Sequence, residues 1–244
     1  MKKLITWTVI ERMSNSRLVN YSCLSPNNSG PRTQPISRIT PHCVVGQASV
    51  EWMGEYFHQK SIKTAPNYGI GFDGQIGLYV PEAFRSWCSS SAHNDQRAVT
   101  IECASDATAP NRFNDAVYNT LIELCADICR RNGKTKLLWL GSKETTLAYK
   151  PKPEEMVLTV HRWFAKKACP GEWLMARMDK LAGAVTAKIS TEMYRYYTVQ
   201  KGDGLWGIAK KELGNGARYS EIMAMNGLQN FLIHPGQVLK MPLQ

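Results

Sequence analysis

The alternation of apolar and polar positions predicts the strands of the first part of the chain. Apolar runs predict strands at residues 39–45, 97–105, 136–140 and 156–160. Alternation around Asp73-Gly74, within YGIGFDGQIGLYV (68–80), predicts a β-hairpin. The apolar run from Leu4 to Ile10 predicts a first strand. Residues 20–37 are rich in Ser, Asn, Pro and Gly, and they predict a long loop.

Apolar positions three and four residues apart predict three long helices between these strands. Ser49 is a capping residue for the first, whose apolar face carries Val50, Met53, Tyr56 and Phe57. Asn114 begins the second, which ends at Asn132-Gly133, and the third covers residues 172–189. Strands interleaved with long helices predict an α/β fold, with a mixed central sheet flanked by helices.

A change of pattern after Thr191 predicts a second, smaller domain. The remaining residues have their own strand–helix–helix–strand order, with the two helices separated by Gly214-Asn215-Gly216. We therefore predict a first domain over residues 1–190 and a small βααβ module over residues 195–244.

Composition narrows the classes of partner. The net charge of +10 favours a polyanionic partner. No RNP-like aromatic pair, zinc-finger spacing or recognition-helix signature is present, so we expect no nucleic acid. No stretch approaches the ~18 consecutive apolar residues of a membrane span, so we expect no membrane insertion. The chain has an odd number of cysteines, 7, and its 244 residues are enough to fold without disulfides. We therefore predict free thiols and synthesis in a reducing compartment.

The segment HRWFAKKACPG (161–171) is the first candidate for chemistry. His161 and Cys169 are both donors that zinc accepts, and Lys167 places a cation beside them. His42, in the predicted strand ITPHCVV, is the best candidate for a third ligand. A lone strand histidine is usually a packed core residue, and the spacing of His161 and Cys169 is common by chance. From these residues alone, a metal site and an ordinary core both remain open.

Four elements, taken in order, resemble the zinc-dependent N-acetylmuramoyl-L-alanine amidases of the peptidoglycan-recognition-protein-like family, phage endolysin type. These elements are the strand with His42, the Tyr68-Gly69 strand, the Asp73-Gly74 hairpin, and the late His-x7-Cys-Pro segment with its lysine. The resemblance covers about residues 20–185. It implies that the protein cleaves the amide bond between the lactyl group of N-acetylmuramic acid and L-alanine in peptidoglycan.

The resemblance also implies roles for individual residues. It makes His42, His161 and Cys169 the ligands of Zn²⁺. It places Tyr68 and Lys167 where they polarise the scissile carbonyl. Glu102, in the strand VTIE, matches the glutamate that some members use as general base.

The small module resembles the LysM domain along its whole length, which implies binding to glycans that contain N-acetylglucosamine. The resemblance implies a groove between two loops, formed by Gly202, Asp203, Gly204, Leu205, Asn226, Gly227, Leu228 and Ile233. Gly204 stands where most members have threonine or serine. The expected partner of the whole protein is therefore bacterial peptidoglycan, and the sequence leaves its oligomeric state open.

Two other functions stay open at this stage. One is a Cys-His cell-wall peptidase with a thiolate nucleophile, and the other is a peptidoglycan-binding protein without catalysis. The start of the chain has no small-residue cleavage site after its apolar run. We therefore expect synthesis in a host cytoplasm without a signal peptide, and action on the wall after release through a holin.

Overall fold

The protein is described here from a computed structural model, which describes residues 15–192 and 194–242. The strand predicted for residues 4–10 lies outside the described residues. No described helix has both the length and the apolar character that a membrane crossing requires. Tertiary contacts divide the chain into two compact units, Met1–Thr186 and Ala187–Gln244. The predicted domain bounds of 1–190 and 195–244 remain a prediction.

The first unit is built on a mixed sheet. Its strands are β1 (Tyr21–Ser22), β2 (Asn28–Pro31), β3 (Arg38–Cys43), β4 (Tyr68–Ile70), β5 (Ile76–Leu78), β6 (Phe84–Ser86), β7 (Ala98–Cys103), β8 (Lys136–Leu138) and β9 (Glu155–Leu158). Seven of these strands form one sheet in the order β1-β5-β4-β7-β3-β9-β8. The hairpin pair β4–β5 is antiparallel and the other neighbours are parallel. The predicted mixed sheet and its hairpin are confirmed.

Helices connect and cover the strands. They are α1 (Val50–His58), α2 (Ala92–Asp95), α3 (Asp115–Arg131), α4 (Lys143–Ala148), α5 (Glu172–Met175) and α6 (Met178–Glu192). The predicted caps are confirmed, because the side chains of Ser49 and Asn114 accept hydrogen bonds from the first turns of α1 and α3. The apolar residues that lie three and four positions apart along α3 are buried, as their spacing predicts.

Two predictions about the elements of the first unit are wrong. The predicted loop 20–37 contains β1, which pairs with β5, and β2, which pairs antiparallel with β6. Both strands are short edge strands whose partners lie far along the chain, so local composition does not reveal them. The predicted helix 172–189 is two helices. The amide of Arg177 donates to the carbonyl of Leu174, and this tight turn ends α5 before α6 begins.

The central strand β3 tolerates a proline because one of its ladders is short. β3 pairs with β7 along its full length, from Arg38 to Cys43. Its register with β9 covers only Arg38 and Ile39. Pro41 therefore lies beyond the part of β3 that has a partner on both sides, where a missing amide donor costs little. All six residues of β3 are buried.

The second unit has the predicted βααβ order. Its elements are β10 (Tyr194–Thr198), α7 (Leu205–Leu213), α8 (Tyr219–Asn226) and β11 (Val238–Pro242). β10 and β11 pair antiparallel over five residues each. The unit has a hydrophobic core of its own, formed by Val199, Leu205, Ile208, Ala209, Leu213, Ile222, Leu239 and Met241.

Candidate functional site

Three neighbouring parallel strands bring polar side chains to one edge of the sheet. His42 near the end of β3 is the register partner of Glu102 near the end of β7. His161 begins a short 3₁₀ turn, with two residues between it and the end of β9. Because the carboxyl ends of parallel strands meet at the same edge, residues distant in sequence converge there, as at the binding edge of other open α/β sheets.

His42, His161 and Cys169 form a compact group of donors. Their ligand atoms all lie within 4.8 Å of one another. Nδ1 of His42 is 3.3 Å from Sγ of Cys169, and the two imidazole rings meet edge to face with centroids 5.0 Å apart. Two imidazoles and one thiol are a donor set that zinc accepts. The structure therefore brings together the three residues predicted as ligands.

A second group of donors shares His42. Nδ1 of His42 is 3.8 Å from Oε1 of Glu102, and the thiol of Cys88 lies 3.6 Å from the same oxygen. His42, Cys88 and Glu102 also have ligand atoms within 4.8 Å of one another. Sequence reasoning missed Cys88, since nothing in the local pattern SWCSS distinguishes it from a core thiol.

Burial controls the charges of His42 and Glu102. Desolvation, and next the charge of His161, hold the pKa of His42 well below its usual range. Desolvation raises the pKa of Glu102 to about 7, although the hydrogen bond from Cys88 opposes this shift. His42 is therefore a neutral imidazole, and its contact with Glu102 is a polar contact and not an ion pair. A neutral imidazole is the form that coordinates a metal.

Two polar atoms of this group are buried and have no hydrogen-bond partner among the described residues. They are Nε2 of His42 and Oε2 of Glu102. A buried polar atom without a partner is costly, so native structures usually supply one. Oε2 of Glu102 is therefore open to a ligand or water, whereas Nε2 of His42 lies on the other side of the ring from Nδ1, the nitrogen that faces Cys169 and Glu102.

The thiol of Cys169 is held in its protonated form when nothing else binds it. Its hydrogen bond with Cys43, then burial and the nearby charge of Glu102, raise the pKa of Cys169 well above its usual range. A reactive cysteine needs the opposite environment, one that stabilises the thiolate. All seven cysteines are free thiols in this structure, and the reducing compartment remains a prediction.

Lys167 lines a cavity of about 540 Å³ that opens onto these donors. Glu102, Cys88 and His161 line the same cavity, and so do the cationic side chains of Lys63 and Arg85. Burial, and next the charge of Lys167, lower the pKa of His161. The structure thus brings Lys167 to the site, as predicted from its position two residues before Cys169.

Asn94 and Asp95 hold the loop that borders this cavity, and sequence reasoning missed both. The side chain of Asn94 is fully buried and bonds Thr40 of β3, Thr159 after β9 and Ser89. The carboxylate of Asp95 accepts the backbone amides of Cys88 and Ser89. These contacts fix the loop 88–91, whose Ser90 hydroxyl lies 2.9 Å from Nε2 of His161.

Tyr68 is not part of the site, so its predicted role at the scissile carbonyl is wrong in this structure. Its register partner on β7 is Ile101, whereas Gly69 pairs with Glu102. Side chains alternate along a strand, so Tyr68 points to the sheet face opposite Glu102 and His42. Its buried hydroxyl donates to Glu82 at 2.6 Å and accepts from the amide of Ser16 at 2.8 Å. Glu82 also pairs with Arg131 at 2.5 Å.

The second unit carries a separate groove of about 440 Å³. It is lined by Gly204, Leu205, Trp206, Gly207, Tyr219 and Phe231. Trp206 and Phe231 expose 55% and 63% of their surfaces, which makes them available to a ligand. The sequence predicted the backbone loops here, including Gly204 and Leu205, but it missed these aromatic side chains.

Three of the side chains predicted to contact glycan also serve the fold of the second unit. Leu205 is buried in its core. The Asp203 carboxylate accepts from the Tyr197 hydroxyl and the Gln200 amide. The Asn226 side chain bonds Lys240 through both its oxygen and its nitrogen, which ties α8 to β11. As glycan contacts, these three residues stay predictions, together with Gly202, Gly204, Gly227, Leu228 and Ile233.

Comparison with known families assigns both parts of the chain. Residues 32–172 match the family model described as N-acetylmuramoyl-L-alanine amidase. Residues 197–242 match the model of the LysM domain. The first match contains the three residues of the donor group and also Glu102 and Lys167. The second match contains the whole groove of the second unit.

Individual relatives are similar over short stretches. The chain is 46% identical over 61 residues to the N-acetylmuramoyl-L-alanine amidase sle1 of Staphylococcus epidermidis, which covers 25% of this chain and 18% of that protein. It is 58% identical over 45 residues to sle1 of Staphylococcus aureus, covering 18% and 13%. The chain thus spans less than a fifth of these curated relatives.

One solved structure with a similar arrangement is the Staphylococcus aureus hydrolase AmiA in complex with its ligand. It has a TM-score of 0.49 and 11% identity, covering 79% of this chain and 95% of that one.

Replacing Tyr68 by Phe is expected to lower stability without removing the donor group of the site. The substitution leaves the buried Ser16 amide without its acceptor and removes one hydrogen bond from Glu82, which costs about 1–3 kcal/mol. Urea unfolding measures the loss, and metal content and turnover per folded molecule measure the site. Tyr149→Phe, which also removes a hydroxyl-to-carboxylate bond, to Glu155, is the more exposed control and should lose less stability. A fall in turnover at unchanged stability would mean that Tyr68 takes part in the reaction, as first predicted.

Proposed function

Because the chain belongs to the N-acetylmuramoyl-L-alanine amidase family, we propose that it is a zinc-dependent peptidoglycan hydrolase. Its reaction is hydrolysis of the amide bond between the lactyl group of N-acetylmuramic acid and L-alanine of the stem peptide. We further propose that the LysM domain holds the enzyme on the wall glycan. The phage endolysin type and release through a holin remain predictions.

The observation that carries this proposal is a compact group of three donors that borders a cavity lined by His161, Glu102 and Lys167. His42, His161 and Cys169 form the donor group, while Glu102 and Lys167 stand beside it. An amide has a weakly electrophilic carbonyl and a poor leaving group. Its hydrolysis therefore needs an activated water, a stabiliser for the developing oxyanion, and a proton for the departing amine.

The donor group fits a zinc ion. Two imidazoles and one thiol are three protein ligands, which is the number that catalytic zinc sites supply. Nδ1 of His42 faces Sγ of Cys169 at 3.3 Å, so it is the nitrogen that would hold a metal placed among the three donors. When bound, zinc supplies a Lewis acid and lowers the pKa of water.

The chain's own residues supply the other two requirements. Oε2 of Glu102 has no hydrogen-bond partner among the described residues, so it is free to take a proton from water and return it to the amine nitrogen. Lys167 places an ammonium at the cavity wall, where it stabilises negative charge on the carbonyl oxygen. With Tyr68 on the other face of the sheet, this task falls on Lys167.

The zinc prediction concerns which donor group binds the metal. Purified protein should contain about one zinc per chain, and chelation should abolish hydrolysis until Zn²⁺ is returned. Cys169→Ser and His161→Ala remove direct ligands, so they should weaken zinc binding by more than the roughly 10–100-fold typical of outer-shell partners. Cys88→Ser is the matched control and should keep its zinc.

Metal analysis and competition with a chromophoric chelator make this measurement. If Cys88→Ser loses zinc and Cys169→Ser keeps it, the second donor group binds the metal. If wall hydrolysis survives exhaustive chelation, the Cys-His peptidase becomes the better interpretation. Zinc binding without hydrolysis of any muramoyl-peptide would instead favour a binding protein.

The prediction for the reaction names the bond. A soluble muramoyl-peptide should yield new α-amino groups on L-alanine and no new reducing sugar ends. Lys167→Ala removes one oxyanion donor and should lower kcat by about 10²–10³-fold with zinc retained. Lys166→Ala is the matched control, because Lys166 is the neighbouring exposed lysine and does not line the cavity. New reducing ends would mean a glycosidase.

The prediction for the second unit separates anchoring from chemistry. A chain that ends at Glu192 should hydrolyse a soluble muramoyl-peptide at close to the parent rate. It should lyse intact walls more slowly, by about tenfold or more, because a second glycan site raises the local enzyme concentration on a polyvalent surface. The double variant Trp206→Ala/Phe231→Ala keeps the chain length and should show the same split. Equal losses on both substrates would mean that the second unit supports the fold of the first.

A further inference from the structure

A second cavity adjoins the catalytic one. It has a volume of about 440 Å³, and three segments line it: the loop 44–49, Trp52 in α1, and Phe72 at the tip of the β4–β5 hairpin. Val44 lines both cavities, and Tyr56, which lines the catalytic cavity, stacks on Trp52. The two cavities therefore form a continuous surface that leads away from the donor group.

This surface exposes an unusual amount of apolar area. Val45, Trp52, Tyr56 and Phe72, here called the aromatic ledge, expose 52%, 51%, 37% and 45% of their surfaces. The other large apolar side chains this exposed among the described residues of the first unit are Leu18, Leu24 and Leu147. Single exposed apolar residues are ordinary, whereas a contiguous group beside a cavity marks a binding surface.

The ledge is held rigid before any ligand arrives. The amide of Trp52 donates to the Ser49 side chain at 3.2 Å, and the rings of Trp52 and Tyr56 are nearly parallel, with centroids 5.3 Å apart. The backbone of Phe72 is bonded on both sides, to the Ala48 carbonyl and to the side chain of Asn114. A preorganised surface loses little entropy when it binds.

Charge distinguishes the ledge from the catalytic cavity. The cavity beside the ledge has no charged residue in its lining, and its polar side chains are those of Gln47 and Ser49. The catalytic cavity carries the cations Lys63, Arg85 and Lys167 together with Glu102 and Asp95, and the carboxylate of Asp95 is already bonded to the amides of the loop 88–91. A stem peptide bears carboxylates and suits the cationic side. A glycan strand of N-acetylated pyranoses is neutral, and its C–H faces suit aromatic rings.

On the basis of the proposed function, we propose that the aromatic ledge is a subsite for the glycan strand of the substrate. A sugar next to the reacting muramoyl unit lies on Trp52 and Phe72, while the stem peptide lies along Lys63 and Arg85. The ledge thus makes the enzyme prefer substrates with several sugars over a single muramoyl-peptide. This preference is a property of the first unit and does not involve the groove of the second unit.

Kinetics on two soluble substrates test this preference in the full chain. One substrate carries a single N-acetylmuramic acid, and the other is a tetrasaccharide with the same stem peptide. Trp52→Ala and Phe72→Ala should each lower the ratio of kcat/KM, tetrasaccharide over single sugar, by about 5–10-fold, mainly through KM. Leu147→Ala removes another exposed apolar side chain of the first unit, outside the ledge, and should leave the ratio unchanged. All variants keep the same second unit, so its contribution cancels.

A binding measurement makes the result independent of catalysis. The indole N–H resonance of Trp52, identified by its absence in Trp52→Ala, should shift when a peptide-free glycan tetrasaccharide is added to the full chain. An unchanged indole resonance, or an unchanged kinetic ratio in both ledge variants, overturns the proposal. A loss of kcat/KM in the ledge variants that depends on the length of the stem peptide, and not on the number of sugars, also overturns the proposal. In that case the ledge would bind peptide. If the parent hydrolyses neither substrate but the resonance shifts, the proposed reaction fails and the glycan subsite stands.

Discussion

The burial of His42 beside Glu102 is the constraint on which the rest of the site depends. The two residues are register partners on neighbouring parallel strands, and burial opposes a charge on either of them. Each also keeps a buried atom without a partner among the described residues. Such an arrangement costs free energy unless another group completes it. Nδ1 of His42 faces both Cys169 and Glu102, and Oε2 of Glu102 stays open to a ligand or water, which is why we interpret the arrangement as a site and not as core packing.

The strands and the loops contribute differently to this site. The sheet fixes His42 and Glu102, because their backbones belong to the central ladders. His161 and Cys169 lie outside the ladders, in a 3₁₀ turn and an irregular segment that a backbone bond from the Arg162 amide to the Cys169 carbonyl ties together. Asn94 adds side-chain bonds around them, because it joins β3, the end of β9 and the loop 88–91 in one buried network. A site whose ligands come from both strands and loops needs such a supporting network of hydrogen bonds to keep its geometry.

The sequence predicted the class of fold, the hairpin, the long helix α3 and the small βααβ unit, because each has strong local periodicity or capping. It also identified the donor residues, since a family pattern connected positions that local patterns do not. It failed for Tyr68 because a family position does not fix strand register, and one residue of register decides which face a side chain occupies. It failed for Asn94, Cys88 and the strands β1 and β2 because their partners are distant in sequence. The aromatic side chains of the LysM groove were missed for the same reason.

On the proposed function, the charge of the protein acquires a specific meaning. A net charge of +10 suggested a polyanionic partner, and nucleic acid is the commonest candidate for such a chain. The structure instead places three cationic side chains around one cavity, and uncharged aromatic surfaces beside that cavity and in the second unit. Nucleic acid carries its charge evenly along the backbone and has no neutral half to match this division. A glycan strand with pendant peptides has its carboxylates on the peptides and its neutral rings along the strand. The separation of charged and aromatic surfaces therefore matches the chemistry of peptidoglycan. The net charge alone does not indicate this match.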